Sequence, residues 1–288
     1  MKKIIILNGG SKTRRAFTSG LTSTILESHK TKNMIVHVKA HTVTFLDKNI
    51  PIDFTDSYLF TRIRGIDEHM CGILYEHLQD LGIRASDPIT LSYKKSEEKI
   101  SQMARLARAF ITVPDTIIAR TNSYSVNKDY ITTNIQFPLV YKTDGSQGDA
   151  VFKINSQTEL DAKIENADPN ELFILQALIP NTFDTRTIVA YGTILGSIKR
   201  SAQPGQFLNN VAKGATVEAY TLNQEEIALA LKVAKVCKID VGGVDIIHTQ
   251  SGPVVLEINK SPQIAGFEKI HGESIVFKSI AQIIESLQ

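Results

Sequence analysis

The sequence predicts a mixed α/β chain: an open, mostly parallel sheet followed by two α+β units with antiparallel strands. Three observations carry this. Strand-like apolar runs alternate with helical stretches over residues 1–93, the pattern of strands joined by crossovers. From Asp184 onward, short apolar runs are joined by tight turns, which favours antiparallel pairing. The chain has 288 residues, enough for two or three packed units with a core.

Residues 3–7 read as a buried strand, followed by Asn8-Gly9-Gly10 and a polar helix over 13–28. The apolar part of this start is too short for a signal-peptide core. A strand over 34–38, a hairpin over 41–52 turning at Asp47-Lys48-Asn49, a strand over 58–63 and a helix over 70–81 complete a first unit, 1–93. A helix over 96–109 leads into 111–118. Strands over 137–142 and 151–154 flank the turn Thr143-Asp-Gly-Ser-Gln-Gly148. A short helix over 158–166 and a strand over 172–177 close a second unit, 94–175. The third, 176–288, has strands over 186–191 and 194–200, then a looser stretch over 201–215. Its helix over 222–238 has Ile227, Leu231 and Ala234 on one face and a capping box of Asn223 with Glu226. Strands over 242–247 and 253–262 form a hairpin.

Hydrophobic content of 42% and charged content of 22% are ordinary for a soluble globular chain. A net charge of +2 gives no electrostatic argument for nucleic acid or membrane binding. Cys71 and Cys237 fit neither a disulfide framework nor a metal spacing, so a reducing cytoplasm is expected.

The hairpin carries the chemistry. Glu257 and Asn259 are two apart, so they share a face of their strand, with Asp245 about opposite. Two carboxylates and an amide oxygen in apolar strands call for a hard cation such as magnesium. In Lys142-Thr-Asp-Gly-Ser-Gln-Gly148, a glycine-containing turn lets backbone N–H groups approach a phosphate, and Lys142 adds a point charge. Alone, that loop is a surface hairpin, and Lys99 belongs to a charged run at a helix start. Arg186 and Arg200 lie in apolar strands and need a partner. For Arg186, an internal salt bridge to Asp184 and an anionic ligand weigh equally; for Arg200 the ligand is favoured. Asn209-Asn210 and Lys213-Gly214 form a polar loop, and the histidines show no ligand spacing.

Taken in order, these motifs resemble the ATP-grasp ligases, and within them the RimK-like glutamate ligase branch. The matching blocks run from Lys99 through the 142–148 loop, Phe173-Ile-Leu-Gln-Ala-Leu-Ile179 and Asp184-Thr-Arg186. They continue through Ser197-Ile-Lys-Arg200, Val241-Gly-Gly-Val-Asp245, Glu257-Ile-Asn259-Lys-Ser-Pro262 and Gly266-Phe-Glu-Lys-Ile-His-Gly272. The resemblance implies a fold in which the second and third units grip ATP. Lys99, Lys142 and the loop Gly145, Ser146, Gln147 and Gly148 would contact phosphates. Gln176, Ala177, Leu178 and Ile179 would be the hinge that reads adenine. Asp184, Arg186 and Asn210 would line the nucleotide site, and Arg200 with Lys142 would act in catalysis. Asp245, Glu257 and Asn259 would hold two magnesium ions, with manganese as a substitute.

The implied activity is ATP-dependent amide-bond formation through an acyl phosphate. Its partners would be amino acids or peptides, a protein C-terminal tail among them, and a homo-oligomer is compatible. A glutathione-synthetase-like small-molecule ligase and a non-turning-over ATP-binding regulator are the alternatives. The chain departs from the branch at Asp149, Ala177, Ser201, Leu208, Ala212, Lys213 and Gln263. Several of these positions would face the acceptor, which leaves glutamate open as substrate.

Overall fold

A computed structural model describes residues 3–31, 34–39, 42–61, 68–88, 99–143, 151–203 and 214–287, and of Val38, Glu68, His69, Lys99 and Ile100 the backbone only. Strand β1 (Lys3–Leu7) runs parallel to β2 (Ile25–His29) on one side and β6 (Ser57–Thr61) on the other, with β7 (Arg84–Ala85) beyond β6. Its run Ile4-Ile5-Ile6-Leu7 is wholly buried because both faces are covered. Ile4 and Ile6 pack with Phe17 of α1 (Ser11–Gly20), and Ile5 and Leu7 with Leu74 and Leu78 of α2 (Glu68–Asp80).

The helix expected over 13–28 stops at Gly20 and β2 follows. A Cβ at Gly20 would lie 2.8 Å from the Lys278 carbonyl, so the last helix of the chain passes directly over this point. The Glu285 carboxylate accepts from the backbone N–H groups of Thr22 and Ser23 and from the Thr24 hydroxyl, fixing the turn. Strands β3 (Met34–Lys39), β4 (Thr42–Asp47) and β5 (Ile50–Pro51) form a separate antiparallel sheet. Its expected turn has Lys48 and Asn49 both at positive φ, as a two-residue type I′ hairpin requires.

The central sheet has the order β10-β9-β11-β8: β8 (Thr116–Arg120), β9 (Leu139–Lys142), β10 (Val151–Ile154) and β11 (Leu172–Ala177). Helices α4 (Tyr124–Asn134) and α5 (Gln157–Glu165) pack on it around Tyr141, Phe173 and Leu175. Helix α4 escapes a periodicity reading because only Tyr124 and Ile131 of its residues are buried. Helix α3 (Lys99–Arg108), for which the described residues begin at Lys99, turns Met103 and Leu106 toward the C-terminal sheet. The unit boundary expected at 175/176 falls inside β11, whose Gln176 and Ala177 still pair within the central sheet.

The C-terminal sheet is antiparallel with the order β14-β13-β12-β15-β16. Its strands are β12 (Asp184–Ala190), β13 (Thr193–Ser201), β14 (Thr216–Ala219), β15 (Val241–Thr249) and β16 (Gly252–Asn259). One face packs on α3 and on α6 (Gln224–Cys237), whose capping box is formed as expected. The other face meets α7 (Ala265–His271) and α8 (Ile275–Ser286), which also cover β1 and β6, so Ile4, Phe17, Ile188, Phe267 and Phe277 share one core. Asp87 and Asp240 clasp this junction: each carboxylate accepts the other's backbone N–H, at 2.7 and 2.5 Å.

Candidate active site

The face of the C-terminal sheet that is apolar at Ile188 and Ile198 becomes charged two residues on. Asp184 is the cross-strand partner of Arg200, and Arg186 that of Asp245. Facing residues of adjacent strands lie close enough to pair. Arg200 grips Asp184 with Nε and Nη2 at 2.6 and 2.9 Å. Arg186 grips Asp245 in the same forked way at 2.7 and 2.6 Å. Arg200 Nη2 also reaches Asp245 at 3.0 Å, tying the two pairs into one cluster. Both arginines therefore make internal salt bridges, and the bridge to Asp184 weighed from the sequence forms at Arg200 and not at Arg186. Arg186 pairs with Asp245, and Asp184 with Arg200, for which a ligand had been favoured.

All four side chains are buried. Burial pushes the Asp184 carboxyl up to about 6, against the pull of Arg200. Burial would also raise Asp245, but Arg186 and Arg200 together outweigh it and hold that carboxyl below its ordinary value. Burial disfavours the Arg200 charge, yet Asp245 and Asp184 hold its guanidinium above its ordinary pKa.

Glu257 is the cross-strand partner of Asp245, and Asn259 that of Gly243. A Cβ on Gly243 would lie 2.9 Å from Pro262, so only glycine lets the chain after Asn259 fold back over β15. The Asn259 side-chain oxygen accepts from the Ser261 N–H at 2.9 Å, which orients it. Among the described residues, no group of three or more His, Cys, Asp or Glu stands ready for a metal. The predicted set, two carboxylates and an amide, is all oxygen and suits magnesium chemically. Asp245 already accepts three hydrogen bonds from the arginines, and a carboxylate offers about four lone-pair sites. Across β13, β12, β15 and β16, register places Arg200 beside Asp184, Arg186 beside Asp245, and Asp245 beside Glu257.

On the central sheet, Lys142 ends β9 and its ammonium donates to the side-chain oxygen of Gln176. Gln176 is buried, and its amide nitrogen donates to Thr116 Oγ1 at 3.0 Å and contacts Met103 Sδ at 3.5 Å. The hinge glutamine thus has a side-chain role that its sequence position did not suggest. Ala177 donates its N–H to the Asp115 backbone carbonyl at 2.9 Å, and Leu178 and Ile179 follow, half-buried, toward β12. Gly145, Ser146, Gln147, Gly148 and Asn210 lie outside the described residues, as does the Lys99 side chain.

One arrangement was not legible at all. His248 stands between Thr185 Oγ1 at 3.0 Å and Glu226 at 3.2 Å, the order of a hydrolase triad. Thr185 is 0% exposed, so no substrate reaches it, and the relay pins the start of α6 to the sheet.

Residues 96–284 match the sequence model of the RimK-like ATP-grasp domain. The chain belongs to the RimK-like ATP-grasp family. A probable alpha-L-glutamate ligase from Aeromonas salmonicida is 33% identical over 210 residues, covering 72% of this chain and 68% of that protein. A ribosomal protein bS6–L-glutamate ligase from Escherichia coli O139:H28 is 30% identical over 198 residues, 67% of this chain and 65% of that one. The chain thus spans about two thirds of the length of these relatives. A RiPP-associated ATP-grasp ligase from Chryseobacterium gregarium, solved with ADP and a leader and core peptide, superposes with a TM-score of 0.73. That match covers 100% of this chain and 98% of the other at 13% identity, which shows the shared fold. Membership places the chain among ATP-dependent ligases. Among the described residues, no helix is long and apolar enough to cross a membrane.

Proposed function

We propose that the chain joins a carboxylate to an amine with ATP, through an acyl phosphate, and that its acceptor is a peptide or a protein tail. The observation that carries this reading is Asp245, held ionised by Arg186 and Arg200 and facing Glu257 across the sheet. A carboxylate approaching a triphosphate is repelled, so the site must supply positive charge where negative charge converges. Lys142, presented by Gln176, supplies it on the central sheet, and Arg200 on the C-terminal sheet. Lys99 and the loop of Gly145, Ser146, Gln147 and Gly148 complete the phosphate side, while the backbone from Gln176 to Ile179 reads the base. Asp245, Glu257 and Asn259 would hold the magnesium, which when bound screens the phosphates and polarises the transferred phosphoryl. In the finer reading these residues would hold two ions, and manganese would be able to substitute.

A peptide acceptor is supported by the relatives, one named for ribosomal protein bS6 and one solved with a leader and core peptide. The two buried cysteines, neither in a disulfide, suit a reducing cytoplasm. The test is phosphate release from ATP and magnesium across a panel of amino acids and peptides, with products read by mass spectrometry. Acceptor-dependent release, with a product one water lighter than its two parts, is expected. ATP binding without turnover on any acceptor, protein tails included, would overturn the ligase reading.

A further inference from the structure

Strand β16 is an edge of the C-terminal sheet, and an edge strand turns N–H and C=O groups away from its neighbour. At Ile258, between Glu257 and Asn259, both outward groups meet one side chain. Gln102 of α3 accepts from the Ile258 N–H at 3.1 Å and donates to the Ile258 carbonyl at 2.7 Å. Gln102 is 2% exposed and Ile258 1%, so water does not compete for these bonds. A carboxamide carries a donor and an acceptor side by side, as a peptide group does, and only one amide orientation satisfies both bonds. Gln102 therefore acts as a one-residue extension of the sheet.

Two further facts give the clamp meaning. On helix α3, Lys99 lies one turn before Gln102. The next residue, Met103, contacts the Gln176 amide that holds Lys142. One turn of α3 thus touches both sheets: the strand carrying Glu257 and Asn259, and the glutamine presenting Lys142.

We propose that Gln102 is a positioning residue for the metal-binding strand. Its carboxamide fixes Ile258, and through it the height and pitch of Glu257 and Asn259 relative to Lys99 and Lys142. The inference rests on the reading of Glu257 and Asn259 as magnesium ligands. Nothing in the local sequence signals it, since a glutamine on a polar helix start looks like any solvated residue.

The test is calorimetric titration of the full-length chain with ADP, once with magnesium and once with EDTA. Gln102→Met keeps the length of the side chain and removes both bonds. Its ADP affinity with magnesium is expected to fall by about 10- to 100-fold, the effect typical of losing a group that orients a metal ligand. In EDTA the affinity is expected to stay at the wild-type value. Gln102→Glu supplies the second readout. Ionised, it repels the Ile258 carbonyl; protonated, it offers one donor and one acceptor like the carboxamide. Relative to wild type at the same pH, it is expected to behave like Gln102→Met in alkaline buffer and to recover as pH falls. Equal weakening with and without magnesium, or an unchanged magnesium gain in both variants, would overturn the role of Gln102. If the wild type itself gains no ADP affinity from magnesium, the metal-site reading fails and takes the inference with it.

Discussion

Asp245 in the C-terminal sheet and Asp87 at the junction with the N-terminal unit are both buried carboxylates, yet they hold their charge differently. Asp245 meets two guanidiniums at 2.6–3.0 Å. Asp87 accepts the backbone N–H groups of Asp240 and Val241, and Lys260 stands 3.9 Å from it. Burial dominates at Asp87 and pushes its carboxyl up to about 7, while the paired arginines keep Asp245 below its ordinary value. The contrast shows what close forked pairing achieves. Where the sheet register brings two guanidiniums to one aspartate, the carboxylate stays ionised without water, whereas Asp184, gripped by Arg200, is pushed up to about 6. Where two chain segments are merely joined, backbone N–H groups suffice and the carboxyl is only about half ionised at neutral pH.

The largest effect is expected from breaking the first pairing. Asp245→Asn leaves Arg186 and Arg200 buried with too little negative charge, which costs about 3–5 kcal/mol. Urea unfolding reads that loss, and wild-type stability in the variant would mean that water enters the cluster. Removing the second carboxylate should do the opposite above neutrality. The folded pKa of Asp87 is raised to about 7 from 3.8, so its stabilising contribution is full below 3.8 and is lost as pH rises through 7. Asp87→Asn keeps the acceptor for Asp240 and Val241 but does not titrate. Its stability relative to wild type should grow between these limits by roughly 4 kcal/mol and then level off. A difference that does not change with pH would show that Asp87 does not titrate there.

Smaller effects separate chemistry from scaffold. Glu257 is only partly buried, unlike the four side chains of the arginine cluster. Glu257→Gln is expected to cut turnover by about 100-fold, or ~2.7 kcal/mol, with an unchanged urea midpoint. Wild-type turnover would remove Glu257 from the metal set. Lys142→Met should weaken ATP binding by about tenfold, or ~1.4 kcal/mol, in a titration of the folded variant. Unchanged affinity would move the phosphate site away from β9.

Much of the fold was legible because its signals are local. The hairpin of β15 and β16, the Asn223–Glu226 cap and the strand at 151–154 follow from period-two patterning or from spacings of three. Strand β2 was hidden because the helical reading ran through Thr22-Ser23-Thr24, and what stops it there is Glu285, 263 positions from Thr22. Helix α4 was hidden by its lack of an apolar stripe. In the site, residue types were legible and partners were not. Arginine within an apolar strand demands an anion, but the anion for Arg186 lies 59 residues away on β15.

The sequence alone determined which side chains share a face, because a strand alternates its residues whatever it pairs with. It also determined family membership, through the order of its motifs. Tertiary structure alone decided that Arg186 takes Asp245 and Arg200 takes Asp184, that Gln176 presents Lys142, and that Gln102 clamps Ile258. Those bonds depend on sheet register and on the packing of α3 between two sheets. Hydrogen bonds act over about 3 Å, and only the assembled fold brings such distant residues that close.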